Sequence, residues 1–175
     1  DAEGVVKSVE NAKVAVFGCG VEAAATEAKG TVLLKNANDL LNYNNSEEKN
    51  MEETIAAIAA TGAKLVISHG AVSELALHYL DKHGIMVVKI MSKFDLRRVC
   101  GALGATAVIR LGPPSPEELG EVSLVEVVEI AGRKVTKFLQ EQAEDTTVAT
   151  VVVRAATENV ANDVERALDD GIHSV

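Results

Sequence analysis

The residues closest to chemistry are Gly18-Cys19-Gly20, with Ala23 three places on, directly after the strand-like run Lys13 to Phe17. A GxGxxA turn between a strand and a helix suits a dinucleotide. The small residues let backbone approach the pyrophosphate, and the amides opening the helix face its charge. Such a site needs a helix that opens at once and is long enough to cross a sheet. Only the nine residues Val21 to Lys29 separate Gly20 from Gly30, their periodicity is weak, and Glu22 and Glu27 put negative charge near the phosphates. Asp39 stands at a distance suited to a ribose acid but more naturally starts the next helix. A lone fingerprint is a weak signal. The competing reading is a glycine-rich loop.

Other catalytic groupings are weaker. His69, His78 and His83 are near in sequence, but His78 falls on the flank of a helix and His83 at its end, so they share no ligand face and read as surface histidines. Ser68-His69 ends a strand, where α/β sites collect, yet no acidic partner is identifiable and hydrogen bonding within a turn is the commoner outcome. Cys19 and Cys100 have neither CxxC spacing nor neighbouring bases. Two cysteines suit a reducing compartment, here read as the cytosol.

The elements that would position these groups form one α/β unit. The 175 residues, 47% hydrophobic, are enough for one core. A net charge of -9 and 3% aromatic content argue against nucleic acid as a partner. No apolar run approaches the roughly 20 residues that cross a bilayer, and the opening Asp1-Ala2-Glu3-Gly4 does not resemble a signal peptide, so no membrane is expected. Lys64 to Ser68, the helix Ala71 to Lys82 and the run Ile85 to Ile90 form a β-α-β unit with a right-handed crossover, Gly84 sitting at the helix C-terminal αL position. A helix over Lys93 to Leu103 and a run Thr106 to Leu111 extend a mainly parallel sheet.

After Gly112-Pro113-Pro114-Ser115-Pro116 the pattern becomes antiparallel: Val122 to Ile130 and Lys134 to Gln140 flank a hairpin turn at Ala131-Gly132-Arg133. The β-branched run Thr147 to Arg154 should return to the sheet. A last helix, with Thr157 as N-cap, carries Val160, Val164, Ala167, Leu168 and Ile172 on one stripe and shows no stop signal, so the chain reads as cut from a longer protein. That stripe packs either on the main core or on something outside the chain.

Two segments suit binding. In Asn36 to Ala60, Leu40, Leu41 and Tyr43 form an opening turn, Asn44 to Asn50 is a solvated stretch, and Met51, Ile55 and Ile58 have helical spacing. It is either a sheet-covering helix with a charged tip or a projecting arm that meets another chain. In Lys93 to Leu103, Ser92 caps the helix and Leu96, Val99, Cys100 and Leu103 face inward, leaving Phe94, Arg97, Arg98, Gly101 and Ala102 outward. Geometry alone makes this an ordinary solvated face; its two guanidinium forks, aromatic ring and shallow floor could also grip polypeptide.

A resemblance decides between these readings. Glu74 to Leu80, Gly84-Ile85-Met86, Ser92 to Arg98 and Gly104 to Ala107 are similar to the apical domain of the cytosolic group II chaperonins (TRiC/CCT). Thr26 to Leu33 matches as well, while Arg110-Leu111, Pro113-Pro114 and Glu117 to Gly120 bring it nearest the theta class. The resemblance spans essentially the whole chain. It implies an α/β apical domain over 1–153, with a mixed sheet, covering helices, an antiparallel hairpin and a helical protrusion near 36–60, followed by a truncated intermediate-domain segment over 154–175.

Functionally, the resemblance implies a chaperone that binds unfolded clients between one helix and a flexible proximal loop. Here these match Lys93 to Leu103 (Phe94, Arg97, Arg98, Gly101 and Ala102) and roughly Gly18 to Lys29 (Val21 and Glu22). Leu40, Leu41, Tyr43 and Met51 would belong to the lid protrusion. On this view the glycines of the fingerprint permit a mobile loop. The loop departs from the family at Gly18-Cys19-Gly20-Val21, where theta members carry Cys-Pro-aromatic. Asp170 matches a catalytic aspartate that serves ATP hydrolysis in the full-length subunit. This fragment should carry no cofactor or metal site, ATP and Mg belonging to the full-length protein. The implied partners are client proteins such as actin and tubulin, and other subunits of a cytoplasmic double ring.

Overall fold

A computed structural model describes residues 2–22, 37–141 and 148–174, with the backbone alone for 37–44. The chain runs β1 (Ala2–Glu3), β2 (Ser8–Phe17), α1 (Ala37–Ala60), β3 (Ala63–Ser68), α2 (Glu74–Lys82), β4 (Met86–Lys89), α3 (Lys93–Leu103), β5 (Ala107–Val108), β6 (Gly120–Ile130), β7 (Arg133–Leu139) and α4 (Glu158–His173).

The sheet is organised around β2, whose two halves differ in sequence. Val14 to Phe17 is continuously apolar and wholly buried, which requires cover on both faces and suits parallel neighbours. It pairs in parallel with β3 on one side and with β5 on the other. The first half is mostly exposed and pairs antiparallel with β6, from Ser8 opposite Glu126 to Val14 opposite Gly120. The main path is β1-β4-β3-β2-β6-β7, and both outer pairs, β1 with β4 and β6 with β7, are antiparallel.

Each face of the sheet has its own core. Ala15, Phe17, Val66 and Val87 point toward Ile55 and Ile58 of α1 and Leu80 of α2. Val14, Val16, Leu65, Ile67 and Val88 point toward Leu96 and Leu103 of α3. The crossover β3-α2-β4 closes as its sequence demands: Ser73 Oγ accepts from the Ala76 amide at 3.2 Å and opens α2. At the far end Gly84 takes φ +68°, the Ile85 amide reaches Leu80 O at 2.9 Å and the Gly84 amide reaches Asp81 O at 3.0 Å, a Schellman closure. The β6–β7 hairpin turns on Ala131 and Gly132, both with positive φ as a two-residue primed turn requires.

The segment read as a helix with a charged tip or as a projecting arm is one helix of 24 residues, since Asn44 to Asn50 needs no buried face to stay helical once the rest is anchored. Three other expectations need correction. Met51 belongs to that anchor: with Ile55 and Ile58 it is buried against the sheet, each side chain contributing about 1.5–3 kcal/mol, so it is a core residue. Thr106 to Leu111 yields only the two-residue β5. Residues 148–154 form no strand and are almost wholly exposed, a β-branched run without a ladder to join; Thr147 lies outside the described residues.

The terminal helix α4 has the expected stripe, yet buries none of it. Val160, Val164, Leu168 and Ile172 are 51%, 41%, 38% and 66% exposed. Thr157 stands at its N-cap position without a side-chain capping bond.

Candidate functional site

Helix α3 presents one flank to a groove at the carboxyl ends of the parallel strands, a cavity of about 720 Å³. Its lining includes Gly18 after β2, His69 after β3, Ile109 after β5, and Lys93, Phe94 and Arg97 of α3. The helix is fixed in this attitude from two directions. Ser92 Oγ accepts from the Asp95 amide at 3.3 Å, and Leu96 and Leu103 sink into the core. A helical turn then carries Phe94 and Arg97 outward, and Phe94 is 74% exposed. Ile109, 85% exposed, faces solvent because β5 ends one residue earlier.

The outward face expected from sequence is divided. Phe94 and Arg97 line this groove, whereas Gly101 and Ala102 border a second hollow with Asn11 and Gln140. Ala102 is half-buried there. Arg98 is exposed and pairs with Asp95 across one turn, Nη1 to Oδ1 at 3.4 Å.

Of the fingerprint glycines, Gly20 has a packing role. A Cβ on Gly70 would stand 2.6 Å from Gly20 N, and one on Gly20 would stand 2.9 Å from Ala71 O. Two backbone segments therefore meet where only glycine fits. Val21 N donates to Ala71 O at 2.8 Å and Ser73 N donates to Val21 O at 3.0 Å, which stitches the start of the loop to the segment before α2. Residues 18–22 are not helical, so the helix a pyrophosphate site needs does not open at Gly20; Ala23 lies outside the described residues. Val21 is wholly buried and cannot touch a client, correcting its assignment, while Glu22 beside it is exposed. Gly20 thus permits close packing at the loop's root, whereas a Cβ on Gly18 would meet nothing nearer than 3.8 Å.

Ser68 and His69 follow the bland reading. Ser68 Oγ lies 3.1 Å from Cys19 O and 3.0 Å from Gly70 O as donor, and accepts from the Gly70 amide at 3.2 Å. His69 Nδ1 lies 3.0 Å from Ile90 O, and since a carbonyl only accepts, Nδ1 carries the proton. His78 and His83 are exposed. Burial raises the pKa of both thiols; at Cys19 a backbone hydrogen bond opposes part of that rise. Among the described residues no cluster of His, Cys, Asp or Glu could hold a metal ion.

Residues 2–175 match the family model described as "TCP-1/cpn60 chaperonin family". The chain belongs to that family. It is 50% identical over 173 residues to T-complex protein 1 subunit theta of Dictyostelium discoideum, covering 99% of this chain and 32% of that protein. The same subunit of Saccharomyces cerevisiae is 48% identical over 178 residues, covering 100% and 31%. The open-state monomer of a group II chaperonin from Methanococcoides burtonii superposes with a TM-score of 0.70 at 26% identity, covering 95% of this chain and 35% of that one. The chain thus spans about a third of the length of the curated relatives it matches. The family, its theta class and the mixed α/β fold agree with the sequence reading.

Of the protrusion residues, Leu40, Leu41 and Tyr43 have side chains outside the described set. Asp170 sits exposed on α4, its backbone carbonyl accepting from Ser174 Oγ at 2.6 Å. Sequence reasoning did not name Lys93 and Ile109 as groove residues, and it noted His69 at a strand end, where open α/β sheets collect ligands, but took it for a turn or surface histidine. For Ile109 the same strand-end position was the available signal, and for Lys93 its place on the first turn of α3.

Proposed function

We propose that this chain is the client-binding part of a chaperonin subunit, and that the groove beside α3 holds unfolded polypeptide. One observation carries the reading: Phe94 and Ile109, both largely exposed, stand beside Arg97 in a concave site. Exposed aromatic and aliphatic groups in a hollow rimmed by a guanidinium suit a chain with unburied apolar side chains. Glu22, Arg98 and Gly101, which lie outside the lining, would contribute at the margin.

On this reading residues 1–153 act as an apical domain and residues 154–175 begin an intermediate domain, whose remainder would cover the exposed stripe of α4. The first half of α1, including Leu40, Leu41 and Tyr43, would serve as a lid protrusion, held by its buried second half. The intact subunit would work with other subunits in a cytoplasmic double ring, with actin and tubulin among its clients. ATP hydrolysis would belong to that intact subunit. Asp170 would be this chain's contribution to an Mg-ATP site completed elsewhere in the subunit.

Site-specific photo-crosslinking to a chemically denatured client tests the reading. Probes at Phe94 and Arg97 should label client, and probes at Glu74 and His78 on the outside of α2 should not. Equal labelling at both places would refute it.

A further inference from the structure

Resting on that reading of the groove, we propose that its preferred occupant is an extended client segment in which acidic side chains alternate with apolar ones. Among the described residues the groove's lining is opposite in charge to the whole: the chain carries a net charge of -9, yet this lining contains Lys93 and Arg97 and no carboxylate. Neither cation has an ion pair or side-chain hydrogen bond among the described residues. The one acidic residue of α3, Asp95, is matched with Arg98 and lies outside the lining.

Position makes the two cations a unit. Four residues apart, they stand one above the other on a helix face, with Phe94 on the same flank. They also occupy the first turns of α3, where the helix dipole adds partial positive charge. A client carboxylate placed here gains charge-assisted hydrogen bonds from a flexible ammonium and a planar guanidinium. Its apolar neighbours find Phe94 and Ile109, and Leu96, Ala105 and Ala107 supply further apolar lining. With Nδ1 of His69 committed to Ile90 O, Nε2 is the ring nitrogen left to accept from a client backbone amide. A basic segment would meet two uncompensated like charges, so the site discriminates by repulsion as well as attraction.

The test uses the intact 175-residue chain and three labelled peptides of one length, built on alternating patterns Leu-Glu-Phe-Glu-Leu, Leu-Gln-Phe-Gln-Leu and Leu-Lys-Phe-Lys-Leu, with binding read by fluorescence anisotropy. The acidic peptide should bind about fivefold tighter than the amide peptide at low salt, a difference that shrinks at high salt, and the basic peptide most weakly. K93Q and R97Q should each weaken binding of the acidic peptide by a larger factor than binding of the amide peptide, whereas F94A should weaken both by a similar factor. Equal affinity of the unaltered chain for the acidic and amide peptides, with F94A weakening both, would overturn the acidic preference while leaving the groove as a client site. Failure of all three peptides to bind, or indifference of binding to F94A, K93Q and R97Q alike, would remove the groove reading and this proposal with it. The comparison among peptides on the unaltered chain stands even if a variant folds poorly.

Discussion

Replacing Gly70 by alanine should destabilise the protein, whereas the same change at Gly101 should stabilise it. A methyl at Gly70 would lie 2.6 Å from Gly20 N, 2.7 Å from Gly20 Cα and 3.3 Å from Cys19 C, all backbone atoms. They cannot retreat without stretching the bonds that Val21 makes with Ala71 and Ser73. Overpacking of this kind costs about 1–3 kcal/mol, and weakening two backbone hydrogen bonds adds about 1 kcal/mol. The sum, about 2–4 kcal/mol, should lower Tm by roughly 5–12 °C in a chain of this size. At Gly101, on the exposed side of α3, an added Cβ meets nothing within 4 Å. Alanine there removes only the helix penalty of glycine, a gain of about 0.5–1 kcal/mol or roughly 1–3 °C. Urea and thermal unfolding followed by circular dichroism read both. If G70A lies within about 0.5 kcal/mol of the parent, or if G101A is the less stable variant, the close-approach account of these glycines is wrong.

The Glu118 carboxylate accepts the Ser115 amide at 2.8 Å, and this bond holds its pKa below the ordinary glutamate value. A lowered folded-state pKa gives stability that is present above about pH 4.3 and lost as pH falls through the folded value; an NMR titration in which Glu118 protonates below the ordinary glutamate value supports this, and an ordinary midpoint refutes it. Alanine at position 131 occupies φ 60°, so A131N, which places Asn-Gly in the primed turn, should raise stability by about 0.5–1 kcal/mol in urea unfolding. Because burial raises the pKa of Cys19 and Cys100, both thiols should alkylate more slowly at pH 8 than a free cysteine and accelerate as pH rises; rates equal to the free thiol would contradict the structure.

Local pattern made several elements legible. Ser92 and the 3.6-residue spacing of Leu96 and Leu103 delimit α3 at the residues observed, and Gly84 marks the end of α2 because an αL residue is required there. The hairpin was readable because Ala131-Gly132 can adopt positive φ between two apolar alternations. Half of the candidate site followed from α3 alone, since inward-facing residues on a helix determine which face is left outward. Its other half, Gly18, His69 and Ile109, comes from three strand ends that only the sheet order brings together.

By itself, then, the sequence determined the family, the α/β class, the helical faces and the turns, all properties of short windows whose physics is local. Only the tertiary structure decided that Val21 and Met51 are core residues, that Gly20 and Gly70 yield space to each other, and that residues 148–154 stay out of the sheet. Burial and strand pairing depend on what arrives from distant parts of the chain. The same valine is a surface contact or a buried anchor according to the neighbour that the sheet places against it.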